Sequence, residues 1–244
     1  PRDWSSDVCS SDLRFPAAHP GIFGAMAELH DTTEEYLETI LALEEDGETP
    51  MRARLVERLG ISAAAVSETV GRLSDQGFVE IGADRSLHLT PKGRTLATTV
   101  VRRHRLAERL LVDVIGLEWE KVHREAARWE HAISADVEEK LVALLGDPAT
   151  CPHGNPIPGS KHGSDAAASV ALARAEPGAV TVARVSEKLE LSDDALTLVA
   201  EAGLTPGSRA EILGRTDDGM QVRTDRGTHH VPDTVGGQLF VTPA

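Results

Sequence analysis

The sequence predicts a mainly α-helical protein in three parts: an N-terminal winged helix-turn-helix, a helical dimerisation domain and a small C-terminal β-barrel. Three observations predict it. Apolar residues recur at helical spacing over most of the first 145 residues; a Pro/Gly-rich stretch follows; short alternating runs between Gly-rich turns fill the remainder. At 244 residues the chain has room for several units, each with its own core.

The elements follow in order. Residues 1–25 lack the charged start and apolar run of a signal peptide, and Pro1 is not an initiator, so they read as an extraneous or disordered tail before a start at Met26. Asp31-Thr32-Thr33-Glu34-Glu35 predicts a helix N-cap with acids in the first turn, followed by Tyr36, Leu37, Ile40, Leu41 and Leu43 on one face. An alternative role for Glu35 is capping-box partner of Thr32. Met51 to Leu59, the Gly60 break and a second helix capped by Ser62 and carrying Val66, Val70 and Leu73 form a helix-turn-helix pattern. Gly77 to Ile81, a turn at Gly82 to Arg85, and Leu87-His88-Leu89 predict a hairpin wing.

A long helix over Pro91 to Leu111 carries Leu96, Val100, Leu106, Leu110 and Leu111. Helices over Glu118 to Ala135 and Asp136 to Leu145 follow, with more apolar face than a small domain needs, and the surplus predicts a two-fold dimer interface. Cys151 to Ser169 reads as an extended linker. Short strands are expected at Ala179 to Val185, Arg209 to Leu213, Gln221 to Thr224 and Gln238 to Val241, with a helix at Asp193 to Ala202. The expected domains are 26–98 (winged helix), 99–148 (helical), 149–178 (linker) and 179–244 (barrel).

The formal charge of −14 argues against a generally basic nucleic-acid binder. Residues 50–105 nevertheless hold ten Lys/Arg against five acids, a local +5 that leaves −19 elsewhere and could serve a DNA surface or ordinary solvated helix faces. Cys9 and Cys151 form no CxxC pair, which fits a reducing, cytoplasmic setting. No apolar run approaches a membrane span.

His104 and Glu108 stand four apart on one helix, and His123, Glu130 and His131 lie seven and eight apart on another, so each group can converge on an ion. Imidazole and carboxylate donors without thiolate lean toward the harder transition metals. Solvated acids and hydrogen-bonded histidines are the competing explanation for any single pair.

Longer motifs point further. Asp31-Thr32-Thr33-Glu34, Arg52-Ala53-Arg54, Asp84-Arg85-Ser86-Leu87, the run His104 to Leu111, Arg128-Trp129-Glu130-His131 and Gly154 to Gly159 resemble the diphtheria toxin repressor family of iron- and manganese-dependent transcriptional regulators. The resemblance is close from Leu29 to Gly159 and looser beyond. It implies a cytoplasmic homodimeric repressor of metal-homeostasis genes, binding operator DNA when Mn(II) or Fe(II) occupies two sites per chain, and it makes the barrel SH3-like, of the FeoA type. One implied site is His104, Glu108 and His123, completed by Glu187 and by Glu190 where relatives carry Gln. The other is Glu35, Glu38, Glu130 and His131. Iron-type members place Met and Cys where this chain has Glu35 and Ala127, whereas Glu35-Tyr36-Leu37-Glu38 is similar to the manganese-transport-regulator pattern. That departure favours manganese, with an iron-dependent regulator as the alternative.

For DNA, the resemblance places Ser62, Ala64, Ser67, Glu68 and Thr69 toward the groove, and Arg52, Arg54, Arg72 and Arg85 suit phosphate contacts, for which position and charge suffice. Rival readings are a metal-independent winged-helix or protein-interaction module and, more remotely, a metallohydrolase, for which the chain carries no HExxH, nucleophile elbow or phosphate loop.

Overall fold

The computed structural model describes residues 23–162 and 169–244, with side chains from Thr32 onward. The expectation for residues 1–22 lies outside the described residues; residues 23–25 belong to the first helix.

Helix α1 spans Phe23–Glu45, so Asp31 is an interior residue rather than a cap. Phe23 to His30 contains no proline and only an early glycine, and nothing stops the helix from extending back through it. Thr32 is therefore an interior residue of α1 rather than an N-cap, and the capping-box alternative for Glu35 falls. Helices α2 (Arg52–Leu59) and α3 (Ala63–Asp75) form the helix-turn-helix. Gly60 closes α2 at φ 67°, and Ser62 Oγ accepts from the Ala65 amide to open α3. Strands β1 (Val79–Ile81) and β2 (Leu87–Leu89) pair antiparallel as the wing. Tyr36, Leu37, Ile40, Leu55, Val66, Val70, Leu73 and Leu87 form the core of this unit.

Helix α4 (Pro91–Arg109) begins with Pro91 at N1 and Thr90 Oγ1 accepting from the Gly93 amide. It joins two cores. Ala97 and Val101 pack with the winged helix, while Leu106 and Ala107 pack with Val122, Ala126, Ile133 and Leu141 of the helical unit. The expected boundary at 98/99 thus falls inside one continuous helix. A π-helical segment, Leu110–Ile115, continues from α4 and ends at Gly116.

The helix expected over Glu118 to Ala135 is interrupted. A 3-10 turn (Trp119–Lys121) leads into α5 (Val122–Trp129), and α6 (Ala135–Leu145) restarts from a Ser134 cap whose Oγ accepts from the Val137 amide. Ser134 competes for a helix start, so Glu130 and His131 sit in the break between α5 and α6.

The expected linker is not loose over its first part. Cys151 to Asn155 are buried, and the carbonyls of Thr150, Cys151, Pro156 and Pro158 accept from Arg109, Arg105 and Arg102 of α4. The C-terminal unit has β3 (Val170–Ala171), β4 (Gly178–Val185), α7 (Glu187–Glu190), α8 (Asp193–Glu201), β5 (Arg209–Arg215), β6 (Gly219–Thr224), β7 (Gly227–Pro232), α9 (Asp233–Gly236) and β8 (Leu239–Pro243). Its antiparallel sheet has the order β3-β8-β4-β5-β6-β7. Among the described residues β3 and β7 are its edges, so backbone pairing does not close the expected barrel. Strands β3 and β7 and helices α7 and α9 add to the elements read from sequence.

Candidate metal centre and DNA-binding face

Helical spacing puts His104 and Glu108 on one face of α4, one turn apart. The first turn of α5 brings His123 to them, and α7 brings Glu190. His104 Nε2 lies 3.3 Å from Glu108 Oε1 and 3.1 Å from His123 Nδ1; His123 Nδ1 lies 2.9 Å from Glu190 Oε2. Donors about 2.1 Å from one ion and at right angles are about 3 Å apart, so these spacings match a shared coordination sphere. His104, Glu108 and Glu190 are buried.

The electrostatics are those of a largely buried charge cluster. Burial opposes protonation of His104, but Glu108 and Glu130 outweigh it and hold its pKa well above the ordinary imidazole range. Burial likewise opposes protonation of His123, yet Glu108 and Glu190 push it up to about 9. Burial opposes ionisation of Glu108 and Glu190; His153 outweighs it at both, with His104 adding at Glu108 and His123 at Glu190, so both stay ionised. One atom is left over. Glu108 Oε2 is buried without a hydrogen-bond partner, a costly condition for an ionised oxygen and one that a cation relieves.

Sequence reasoning missed His153. Fully buried, it lies 3.1 Å from Glu108 Oε1 and 3.2 Å from Glu190 Oε2 through Nδ1, while Nε2 faces the Trp119 carbonyl at 3.2 Å. Cys151 joins it: Glu108, Cys151 and His153 offer ligand atoms all within 4.8 Å of one another. A sulfur donor is therefore present where an all-N/O set was expected. Burial first, and then the Glu108 charge, push its thiol up to about 12, so it is protonated rather than a thiolate. The available signal was the Cys-x-His pair at 151 and 153, overlooked because a Pro/Gly-rich setting shows no periodicity.

A second group faces a cavity of about 510 Å³ walled by α1, α2, α4, α5 and the α7 end. Glu38, His104 and Glu130 bring ligand atoms within 4.8 Å of one another, and Glu130 Oε1 lies 3.3 Å from His131 Nε2. His104 serves both groups, turning Nε2 to Glu108 and Nδ1 to Glu130. Burial and the nearby Glu130 push the Glu38 carboxyl well above its usual range.

Two expected ligands line the cavity without joining either close group, although the His131 and Glu130 charges act on Glu35. Glu35 is exposed on the cavity wall, and it is Glu34 that meets His131 Nδ1, at 2.6 Å. Glu34 and Glu38 are one helical turn apart, which Glu35 and Glu38 nearly are too, and spacing alone does not choose between them. Glu187 also lines the cavity, but its Oε1 is engaged by Arg105 Nη2 at 2.8 Å, so Glu190 alone of the α7 acids reaches the His104 cluster.

On the DNA side, Ser62, Ala64, Ser67 and Glu68 are exposed along α3. Thr69 is not. It shares the inward stripe of Val66, Val70 and Leu73, 7 % exposed, and its hydroxyl accepts from Arg72 at 3.4 Å. Arg54 is exposed and paired with Glu48 at 2.7 Å; Arg52 and Arg72 are half-buried; Arg85 is exposed at φ 69° in the wing turn.

Comparison with known proteins agrees with this layout. Residues 28–87 match the model for the iron dependent repressor N-terminal DNA binding domain, and residues 90–159 match the iron dependent repressor metal binding and dimerisation domain. The iron-dependent repressor IdeR of Mycobacterium tuberculosis is 50 % identical over 207 residues, covering 81 % of this chain and 90 % of the relative. The diphtheria toxin repressor of Corynebacterium diphtheriae is 48 % identical over 198 residues, covering 78 % and 88 %. Among solved structures, a manganese-dependent transcriptional repressor in complex with manganese superposes with a TM-score of 0.77 at 32 % identity, over 87 % of this chain and all of that one. With both family domains in place and half of the aligned residues identical to a curated member over 81 % of its length, the chain belongs to the iron-dependent repressor family of transcriptional regulators.

Proposed function

We propose that the chain is a homodimeric, DNA-binding transcriptional repressor whose corepressor is Mn(II) or Fe(II), acting in the cytoplasm on metal-homeostasis genes. The observation that carries this reading is the convergence of His104, Glu108, His123 and Glu190 where α4, α5 and the C-terminal unit meet, with Glu108 Oε1 facing both histidines and its Oε2 buried without a partner. A bound divalent ion supplies positive charge there. His104, Glu108, His123 and Glu190 hold it, with His153 against the same two carboxylates and Cys151 beside it. Glu38, Glu130 and His131, with Glu34 beside them, hold a second ion, and Glu35 and Glu187 complete the cavity wall as reserve carboxylates. Glu38 belongs to the winged-helix core element α1 while Glu130 follows α5, so drawing them together sets the angle between the two units. Two recognition helices at the right angle meet successive half-sites about one DNA turn apart.

Ser62, Ala64, Ser67 and Glu68 face the groove, and Arg52, Arg54, Arg72 and Arg85 meet phosphates. Manganese ranks before iron because the α1 side offers only carboxylates and position 127 is alanine. Val114, Ile115, Val137 and Leu144, all exposed apolar residues of the helical unit, form the dimer contact. Among the described residues no helix is long and apolar enough to cross a membrane. The reading is of a regulator, not an enzyme.

The test is operator binding by fluorescence anisotropy under anaerobic titration with Mn(II) and Fe(II), on DNA selected from a random duplex library. Metal should raise affinity at least about fivefold in the wild type and leave Glu108→Gln unresponsive. Equal affinity in chelator and in excess metal would support a metal-independent winged-helix module instead.

A further inference from the structure

We propose that Asp46, at the end of α1, is a latch that ties the C-terminal unit to the helix-turn-helix, and that a run of buried polar contacts couples it to the ligand cluster. The run begins at Glu190, whose Oε2 faces His123 at 2.9 Å. Asn155 Nδ2 donates to Glu190 Oε1 at 2.8 Å and to the Val185 carbonyl at 2.9 Å. Its Oδ1 accepts from Arg184 Nη1 at 3.3 Å. Arg184 Nη1 also reaches Asp46 Oδ1 at 2.9 Å, and Arg58 Nη2 of α2 donates to Asp46 Oδ2 at 2.9 Å. Each oxygen of one carboxylate is thus held by an arginine from a different unit.

The geometry is fixed at every joint. The Asp46, Arg58 and Arg184 side chains are only 5–6 % exposed. Arg184 stacks its guanidinium 3.7 Å over the Phe240 ring and donates a further bond to the Glu45 carbonyl at 3.2 Å. The sheet irregularity between Val182 and Arg184 and the close packing of Gly154, where an added Cβ would stand 2.2 Å from the Ala183 carbonyl oxygen, keep Asn155 against β4. A second arm lies alongside: Arg105 binds Glu45 and Glu187. Both arms end on Glu45–Asp46, next to the helix that leads into α3.

Stability alone is a poor account of this arrangement. Apolar residues of similar volume commonly stabilise a buried position as well as an ion pair does, whereas directed charges fix one relative placement of their carriers. The exposed pair Lys188–Glu57 spans the same units and is of the kind that contributes little. A movement of Glu190 toward a cation in the cluster pulls on Asn155 and, through Arg184 and Asp46, on α2. Asp46, Arg184 and Asn155 are therefore positioning residues, not ligands.

This inference rests on the proposed metal-dependent DNA binding, and the experiment separates the two. Full-length wild type, Asp46→Asn and Asn155→Ala are titrated with selected operator DNA in chelator and in saturating Mn(II), and Mn(II) affinity is measured by calorimetry with and without that DNA. Asp46→Asn should lower the factor by which metal tightens DNA binding by about 2- to 30-fold, the range over which substitutions in coupling networks act. Its DNA-free Mn(II) stoichiometry should stay at the wild-type value. Reciprocity requires the factor by which DNA tightens metal binding to fall equally. Asn155→Ala leaves Asp46 paired to both arginines, so it reports on the relay even where Asp46→Asn fails to fold, and it should also lower the factor. A purely structural role would weaken DNA binding equally with and without metal; an unchanged factor in the folded variants overturns the proposal. A wild type indifferent to metal would overturn the functional reading itself, and the relay with it.

Discussion

Loading the His104 cluster with a divalent ion should expel about two protons, because a ligating imidazole must be neutral and both His104 and His123 are held protonated. With its pKa at about 9, His123 is about 99 % imidazolium at pH 7. Proton competition at that one residue weakens apparent metal binding at pH 7 by about a hundredfold, or about 3 kcal/mol, relative to pH well above 9. Glu108 and Glu190 are already ionised and release nothing. Apparent affinity should therefore rise by about two powers of ten per pH unit through the neutral range, one for each imidazole. The assay is anaerobic Mn(II) calorimetry at pH 7 in two buffers of different ionisation enthalpy, which counts protons directly. A count below about half a proton per ion would refute the assignment of His104 and His123 as protonated ligands-in-waiting. The same shift acts on the metal-free fold: a raised histidine pKa contributes stability that is fully present below the unfolded value of 6.5 and lost as the pH rises through about 9.

Three further outcomes are expected. Gly93→Ala would place a Cβ 2.0 Å from the Phe78 carbonyl oxygen and should destabilise the winged helix by about 1–3 kcal/mol in thermal or denaturant unfolding; an unchanged midpoint would mean that α4 does not start against Phe78 as described. Arg52→Ala should weaken binding to all DNA sequences alike and flatten the salt dependence by about one unit, whereas a change confined to one base position would mark Arg52 as a base reader. Leu144→Glu puts a charge on the most exposed of the large apolar residues of the helical unit, 63 % accessible, and should yield monomers by sedimentation with weakened operator binding; an unaltered dimer would place the interface elsewhere.

The winged helix was legible in the sequence because its signals are local. Ser62 and Gly60 act on backbone groups within a turn of themselves, Pro91 marks the start of α4, and the Val66-Val70-Leu73 stripe follows from helical period alone. The same period fixed His104 beside Glu108. It also misled at its edges. Asp31 has the chemistry of a cap, yet nothing in Phe23 to His30 forbids the helix, and Thr69 belongs to the inward stripe that it borders.

Tertiary structure decided whatever depends on competition between distant groups. Arg105 draws Glu187 and Asn155 holds Glu190, so of two acids three residues apart only the second faces His123. His131 meets Glu34 rather than Glu35 because of where the break after α5 delivers the imidazole. His153 enters the site because the backbone of residues 149–159 satisfies three arginines of α4 and packs against β4, contacts that no spacing in the sequence encodes. Sequence determined which donors were available and on which helices they stood. Which of them share an ion's reach was decided by packing, since a covalent neighbour is fixed by the chain but a spatial one is chosen by every other group that competes for it.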